Sequence, residues 1–181
     1  HTGTLAEENN YTFVHPYNDD DIIAGQGTLA IEMLEDQPDL DVLVVPIGGG
    51  GLISGVATAA KAIKPDIEII GAQAEGYAAA KAQIEGSPCK LGGATIAEGI
   101  AVKQPGDKTM AIIREKVDHI WSASESDIES AIFDFISSEK LVAEGAAGAG
   151  LAVIKNNLDH FKGKKVGLVV CGGNIDSRML S

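Results

Sequence analysis

Apolar residues gather in five short runs, Thr12–His15, Val42–Ile47, Ile67–Ala72, His119–Trp121 and Val166–Val170. Within each run they occupy successive positions rather than alternate ones, and β-branched residues are frequent. That pattern suits strands covered on both faces, hence a mostly parallel sheet. Helical patterns lie between the runs. Asp20 or Asp21 can cap a helix reaching Leu34, Leu52–Ile63 stops at Lys64-Pro65, and Lys108–Lys116 follows Pro105-Gly106. Ser124–Ser138 opens with Ser-Glu-Ser-Asp, where Ser124 and Asp127 have the spacing of a capping box. Ala143–Asn157 is rich in small residues, as a helix packed closely on another backbone would be. Ala78–Ala82 fits a helix or a loop, while Gly86–Gly93 and Ala101–Asp107 read as surface loops. Strands alternating with helices predict an α/β fold, a mostly parallel sheet with helices on both faces joined by right-handed crossovers.

Charge then narrows the partners. The chain has 181 residues with 14 Lys+Arg against 26 Asp+Glu, a net charge of −12. Such a balance argues against binding nucleic acid or an anionic membrane surface. No apolar run reaches the roughly 18–20 residues that span a bilayer, and 45% apolar content excludes a disordered tail. Two cysteines, Cys89 in a Ser-Pro-Cys-Lys loop and Cys171 after an apolar run, make no disulfide framework, and reduced thiols in a cytoplasmic protein are expected. Thr2-Gly3-Thr4-Leu5 lacks the charged and apolar regions of a leader, so the sequence reads as one entered midway.

Glycine carries the chemistry. Val44-Val45-Pro46-Ile47 runs into Gly48, Gly49, Gly50 and Gly51, and a helix begins at Leu52. Consecutive glycines are entropically unfavourable and make sense where main-chain N–H groups converge without Cβ atoms in the way. At a helix N-terminus they form an anion site; the plain alternative is a flexible turn. The dinucleotide fingerprint needs a glycine five residues after the first, but that position is Ile53 or Ser54, and no P-loop motif is present. A compact monophosphate fits better than a pyrophosphate. A second apolar run ends in Cys171-Gly172-Gly173-Asn174, at the carboxyl end of its strand, where ligands bind in open parallel sheets. Cys171 is either a packing thiol or a group presented to a ligand ring. Glu144, in Glu144-Gly145-Ala146-Ala147-Gly148, either complements a helix dipole or lies near a bound cofactor.

Together these segments resemble the fold-type II pyridoxal-phosphate enzymes with a tryptophan synthase β-like fold, in particular the serine/threonine dehydratase (threonine ammonia-lyase) family that includes serine racemase. His15-Pro16-Tyr17-Asn18-Asp19 with Ala24-Gly25-Gln26-Gly27-Thr28, the tetraglycine, Thr95-Ile96-Ala97-Glu98-Gly99-Ile100, Glu144-Gly145 and Cys171-Gly172-Gly173-Asn174 are similar to its ordered motifs. The resemblance implies pyridoxal 5'-phosphate as cofactor, its phosphate held by the main chain of Gly48, Gly49, Gly50, Gly51 and Leu52. Cys171 and Gly172 would stand beside the pyridine nitrogen, and Gly99 and Glu144 would line the ring. It further implies an amino-acid substrate, L-threonine going to 2-oxobutanoate and ammonia and L-serine to pyruvate, in a cytoplasmic homo-oligomer of amino-acid metabolism, isoleucine biosynthesis included.

Two departures qualify the resemblance. The family's Schiff-base lysine lies in a Ser-Phe-Lys-x-Arg-Gly motif that none of the lysines here matches. The chain is therefore expected to be the C-terminal part of a catalytic domain, without the lysine-bearing N-terminal part or a C-terminal regulatory domain that Ile175-Asp176-Ser177-Arg178-Met179-Leu180 would lead into. It is expected to be catalytically incomplete alone. Where racemase-like members place a divalent cation on Glu and Asp, this sequence has Gln73 and Ala79 with Glu75 out of register, so no metal is expected there. Serine racemase, hydroxyaspartate dehydratase, a cysteine-type synthase and a non-catalytic phosphate-binding module remain alternatives.

Overall fold

The computed structural model describes residues 2–88 and 91–176. Cys89 and the closing Ser177-Arg178-Met179-Leu180 lie outside the described residues. Four strands, β1 (Val42–Pro46), β2 (Glu68–Ala74), β3 (His119–Ala123) and β4 (Val166–Leu168), form one sheet in the order β3-β2-β1-β4. All three pairings are parallel, with Val44 opposite Ile70 and Leu168 and with Ile70 opposite His119.

Among the described residues seven α-helices accompany them: α1 (Thr2–Asn9), α2 (Asp20–Asp36), α3 (Gly51–Ile63), α4 (Ala79–Glu85), α5 (Asp107–Lys116), α6 (Glu125–Asp134) and α7 (Gly145–Asn156). Leu43, Val45 and Ile69 pack with Ala30, Ile53, Val56 and Ile113 on the face covered by α2, α3 and α5. Val42, Val44, Ile70 and Ala72 pack with Ile128, Ile132, Ala149 and Val153 of α6 and α7 on the other. Alternate residues of one strand thus enter two different cores, which is why the strands read as unbroken apolar runs.

Several boundaries differ from the sequence expectations. Thr12–His15 is extended but joins no strand among the described residues, and its Phe13 and Val14 are exposed. Its β-type composition is not enough to make a strand without a ladder partner, and the four strands that pair are β3, β2, β1 and β4. The cap of α2 is Asp19, whose carboxylate accepts from the N–H groups of Asp21 and Ile22. The β4 ladder stops at Leu168, although Val169 N–H still donates to Val44 O at 3.0 Å before the chain turns into its glycines. The helix opened by Ser124 gives way after Asp134 to a π-type turn over Phe135–Glu139. Ala79–Glu85 is helical, and α1, which buries no residue, had no apolar stripe to announce it.

The capping box at α6 forms as its spacing predicts. Ser124 Oγ accepts from Asp127 N–H, and Asp127 accepts in return from Ser124 N–H and Oγ–H. The Ser124 hydrogen bond, followed by that from Asn156, holds the Asp127 carboxyl below the usual carboxylate range. The stabilisation that goes with this lowered value is complete above the ordinary aspartate pKa and is lost as pH falls through the folded value. Ser124→Ala is accordingly expected to lower the thermal midpoint at pH 7, with the gap from the parent narrowing toward pH 3 in parallel melts.

Candidate functional site

The glycine segment sits where β1 ends. Gly49, Gly50 and Gly51 are buried, and Gly50 caps α3 with φ 96°, the left-handed region. Thr109 braces the loop: its hydroxyl donates to a carbonyl, with Gly49 O at 2.7 Å and Gly106 O at 2.9 Å. The carbonyls of Gly49 and Gly50 accept from Gly106 N–H and Ser54 N–H. Among the described residues, however, no protein acceptor takes the N–H groups of Gly48, Gly49, Gly50, Gly51 or Leu52. Buried main-chain donors are almost always paired, so this row of five, with Gly49, Gly50 and Gly51 buried and the positive end of α3 behind it, amounts to an anion cradle.

These residues open on a cleft of about 350 Å3. One wall is the loop before α2. There His15 Nδ1 accepts from the N–H of Asn18 at 2.9 Å and of Tyr17 at 3.3 Å. Tyr17 O–H donates to Gln104 O, and Asn18 Oδ1 accepts from Lys108 N–H. Tyr17 also explains why Gly49 must lack a side chain, since a Cβ there would lie 2.2 Å from its ring. The Cβ side of Gly49 is therefore filled by the Tyr17 ring, while Gly49 itself still lines the cleft.

The opposite wall comes from the starts of α7 and of the segment after β4. Gly99, Glu144 and Cys171 line the same cleft as Gly48, Gly49, Gly50, Gly51 and Leu52. Gly172 stands behind Glu144 rather than on the wall; a Cβ on it would meet the Glu144 carboxyl carbon at 2.6 Å. Glu144 makes no capping bond to its own helix and accepts instead from Asn174 N–H at 3.2 Å. Gly99 allows this carboxylate its position, for a Cβ there would lie 2.9 Å from Oε1. A second hollow of about 410 Å3, lined by Glu98, Asn174 and Ile175, shares Gly99 and Glu144 with the cleft.

Cys171 is exposed as a residue, yet the protein around its sulfur and the nearby Glu144 charge push its thiol from 9.0 up to about 11. It is protonated at neutral pH. A neutral sulfhydryl suits a position beside a ring nitrogen that is not to be kept protonated, and the phosphate cradle lies across the same cleft, so the residues present fit pyridoxal phosphate. In a Cys89→Ser background, the thiolate fraction at pH 8 should be about 100-fold below that of an ordinary thiol, with disulfide-exchange labelling correspondingly slow. Glu144→Gln removes a charge that raises the value, so labelling is expected to accelerate; an unchanged rate would exclude that coupling.

Sequence reasoning did not assign Tyr17, Gln26, Ile100 or Thr109 to the site. Tyr17 and Gln26 stood in quoted motifs without a role, whereas Thr109 reaches Gly49 across 60 positions with no local signal. Gln73, which stands where racemase-like members are expected to have a Glu ligand, is fully buried with its amide engaged by the main chain of Ile47, Tyr77 and Lys81.

Comparison with known proteins agrees with this geometry. L-threonine ammonia-lyase of Thermotoga maritima is 45% identical over 184 residues, covering 97% of this chain and 44% of that protein. The processed form of threonine deaminase isoform 2 from Solanum lycopersicum superposes with TM-score 0.90 at 31% identity, over 98% of this chain and 50% of that one. Maize serine racemase gives 0.89 at 35%, over 98% and 56%. The chain spans about half the length of the curated relatives it matches. The family model described as "Pyridoxal-phosphate dependent enzyme" matches residues 1–172. With that match, the parallel α/β fold and these likenesses, the chain belongs to the pyridoxal-phosphate dependent enzymes, in the fold-type II group that holds the threonine dehydratases.

Proposed function

We propose that this chain forms the C-terminal part of the catalytic domain of a threonine dehydratase, which converts L-threonine to 2-oxobutanoate and ammonia and L-serine to pyruvate and ammonia, the water lost in the elimination being returned when the product imine hydrolyses. The observation that carries the reading is the row of unpaired N–H donors from Gly48 to Leu52, facing the protonated Cys171 thiol across one cleft.

Pyridoxal phosphate, when bound, supplies the electron-withdrawing ring that makes the substrate α-proton acidic. The glycine amides and the α3 dipole would hold its phosphate, fixing position without a side-chain charge. Cys171 would meet the ring nitrogen with a neutral group, and Glu144, anchored by Asn174 N–H, would border the ring together with Gly99. Pro16, Tyr17 and Ile22 line the cleft beside the glycine loop. A homo-oligomer and a cytoplasmic location belong to the same reading and rest on the family likeness. Among the described residues no helix is long and apolar enough to cross a membrane.

Among the described residues no lysine lines the cleft. The 181-residue chain mixed with pyridoxal phosphate is therefore expected to form no 2-oxobutanoate, whereas the same chain joined to an upstream lysine-bearing segment converts threonine. Cys171→Ala in that longer protein should lower turnover with little change in fold. Keto-acid production by the chain alone would overturn this division of labour. Racemised serine without keto acid from the longer protein would favour a serine racemase instead, the reading that the maize structure's likeness supports.

A further inference from the structure

At the amino ends of β2 and β3, the end of the sheet away from the glycine loop, three chain segments bring metal-ligating side chains together. Glu68 opens β2 and His119 opens β3; because His119 pairs with Ile70, it and Glu68 share a face of the sheet. The turn after α7 supplies His160 and Lys164. His160 Nε2 is 2.7 Å and His119 Nε2 is 3.4 Å from the same oxygen, Glu68 Oε1, and one ligand atom from each of the three residues lies within 4.8 Å of the others. The two imidazole rings are fixed by aromatic neighbours. His119 stacks on Trp121 at 5.5 Å, and His160 stands edge-on to Trp121 at 5.0 Å and to Phe161 at 5.3 Å.

As protein alone, the contacts conflict. Lys164 Nζ lies 2.8 Å from Glu68 Oε2 and 3.2 Å from His160 Nε2. If Nε2 carries a proton it serves Glu68 but faces the ammonium, donor to donor. If it does not, it accepts from Lys164 but sets a lone pair against the carboxylate. A cation bound among the three donors resolves this, because all of them then present lone pairs to one centre. Burial raises the Glu68 carboxyl, but hydrogen bonds from Lys164 and His160 and their charges outweigh it and hold the group below its usual value, hence ionised at neutral pH. Two imidazoles and a carboxylate are a zinc donor set. Ligands about 2.1 Å from a tetrahedral zinc stand about 3.4 Å apart, so the His119–Glu68 separation already fits, the His160–Glu68 pair must open slightly, and the two imidazoles lie within 4.8 Å of each other.

We propose that Glu68, His119 and His160 form a zinc(II) site that fastens the connection between α7 and β4 to the amino ends of β2 and β3. The Lys164 ammonium holds the site in the metal-free protein and swings out when the ion enters. The fourth position faces solvent, and the site lies apart from the cofactor cleft.

Trp121 is the only tryptophan in the sequence and touches both imidazoles, so it reports the site directly. The test titrates the cofactor-loaded protein with cobalt(II), a quenching stand-in for zinc, follows Trp121 emission, then adds zinc; bound zinc after dialysis is measured separately by elemental analysis. The expected result is saturable one-to-one quenching, reversed by zinc, with affinity reduced about tenfold or more in His160→Ala and Glu68→Gln. Lys164→Met removes the competing ammonium and is expected to move the titration midpoint to lower metal concentration, a change that damage to the fold cannot mimic. Quenching that does not saturate or that zinc does not reverse, titrations unchanged in His160→Ala, or weaker binding in Lys164→Met would each overturn the proposal.

Discussion

Gly50→Val, made in the longer protein that carries the upstream lysine-bearing segment, is expected to lose pyridoxal phosphate on dialysis while most of the fold survives. Gly50 has φ 96°, a conformation that costs an L-residue about 1–2 kcal/mol and is worse for a β-branched one. A Cβ there would also lie 2.8 Å from both Cβ and Oγ1 of Thr109 and 3.0 Å from Ile113 Cδ1. Thr109 is the brace that holds Gly49 O and Gly106 O, so displacing it re-aims the N–H groups from Gly48 to Leu52 together. About 1.4 kcal/mol of lost interaction is a tenfold loss of affinity, and the strain alone approaches that. The measurement is visible cofactor absorbance after dialysis, beside a thermal melt of the same sample. Absorbance equal to the parent's would show that the phosphate is held elsewhere. Gly49→Val tests something else, because its side chain strikes the Tyr17 ring and its failure would report on the wall as much as on the ligand.

The second large effect is a pair of identical substitutions with opposite signs. Gly55 of α3 and Gly27 of α2 mark the crossing of those two helices, where a Cβ on Gly55 would lie 2.2 Å from Ile23 O and 2.6 Å from Gly27 N. These are main-chain atoms and cannot step aside as a side-chain tip can. Gly55→Ala gains about 1 kcal/mol of helix propensity, but forcing the two helices apart costs about 3 kcal/mol or more, so the clash wins. Gly25, on an exposed position of α2, has nothing within 4 Å of its Cβ. Gly25→Ala keeps the propensity gain without the clash and is expected to stabilise by roughly 0.5–1 kcal/mol. Urea unfolding midpoints of the two variants should move in opposite directions; a Gly55→Ala midpoint at or above the parent's would refute the packing argument.

What could be read from the sequence was local. A strand running into glycines and then a helix is encoded in a dozen consecutive residues, and the Ser124–Asp127 box within four, so both were recoverable. The assignment of Thr12–His15 as a strand failed because β-type composition describes only a residue's fitness for a ladder, and the ladder itself is a long-range fact. Helix α1 escaped notice because it buries nothing, leaving no apolar periodicity to detect. The site showed the same divide. Gly48–Gly51, Glu144 and Cys171 advertised themselves through unusual local chemistry. Thr109 and the cluster of Glu68, His119 and His160 consist of ordinary residues made significant only by strand register and by a turn far along the chain.

Because every strand points the same way, the chain after each one emerges on a common rim, and Gly48–Gly51, the residues following Ala74 and Cys171 all belong to it. Lengthening or exchanging a loop on that rim alters what the cleft admits while leaving the two cores untouched. Variation at the far rim, around Glu68 and His119, would leave catalysis alone and change how firmly the scaffold is pinned. Directed evolution for a new ligand in the cleft should therefore accumulate its changes on the first rim, and selection for heat resistance on the second.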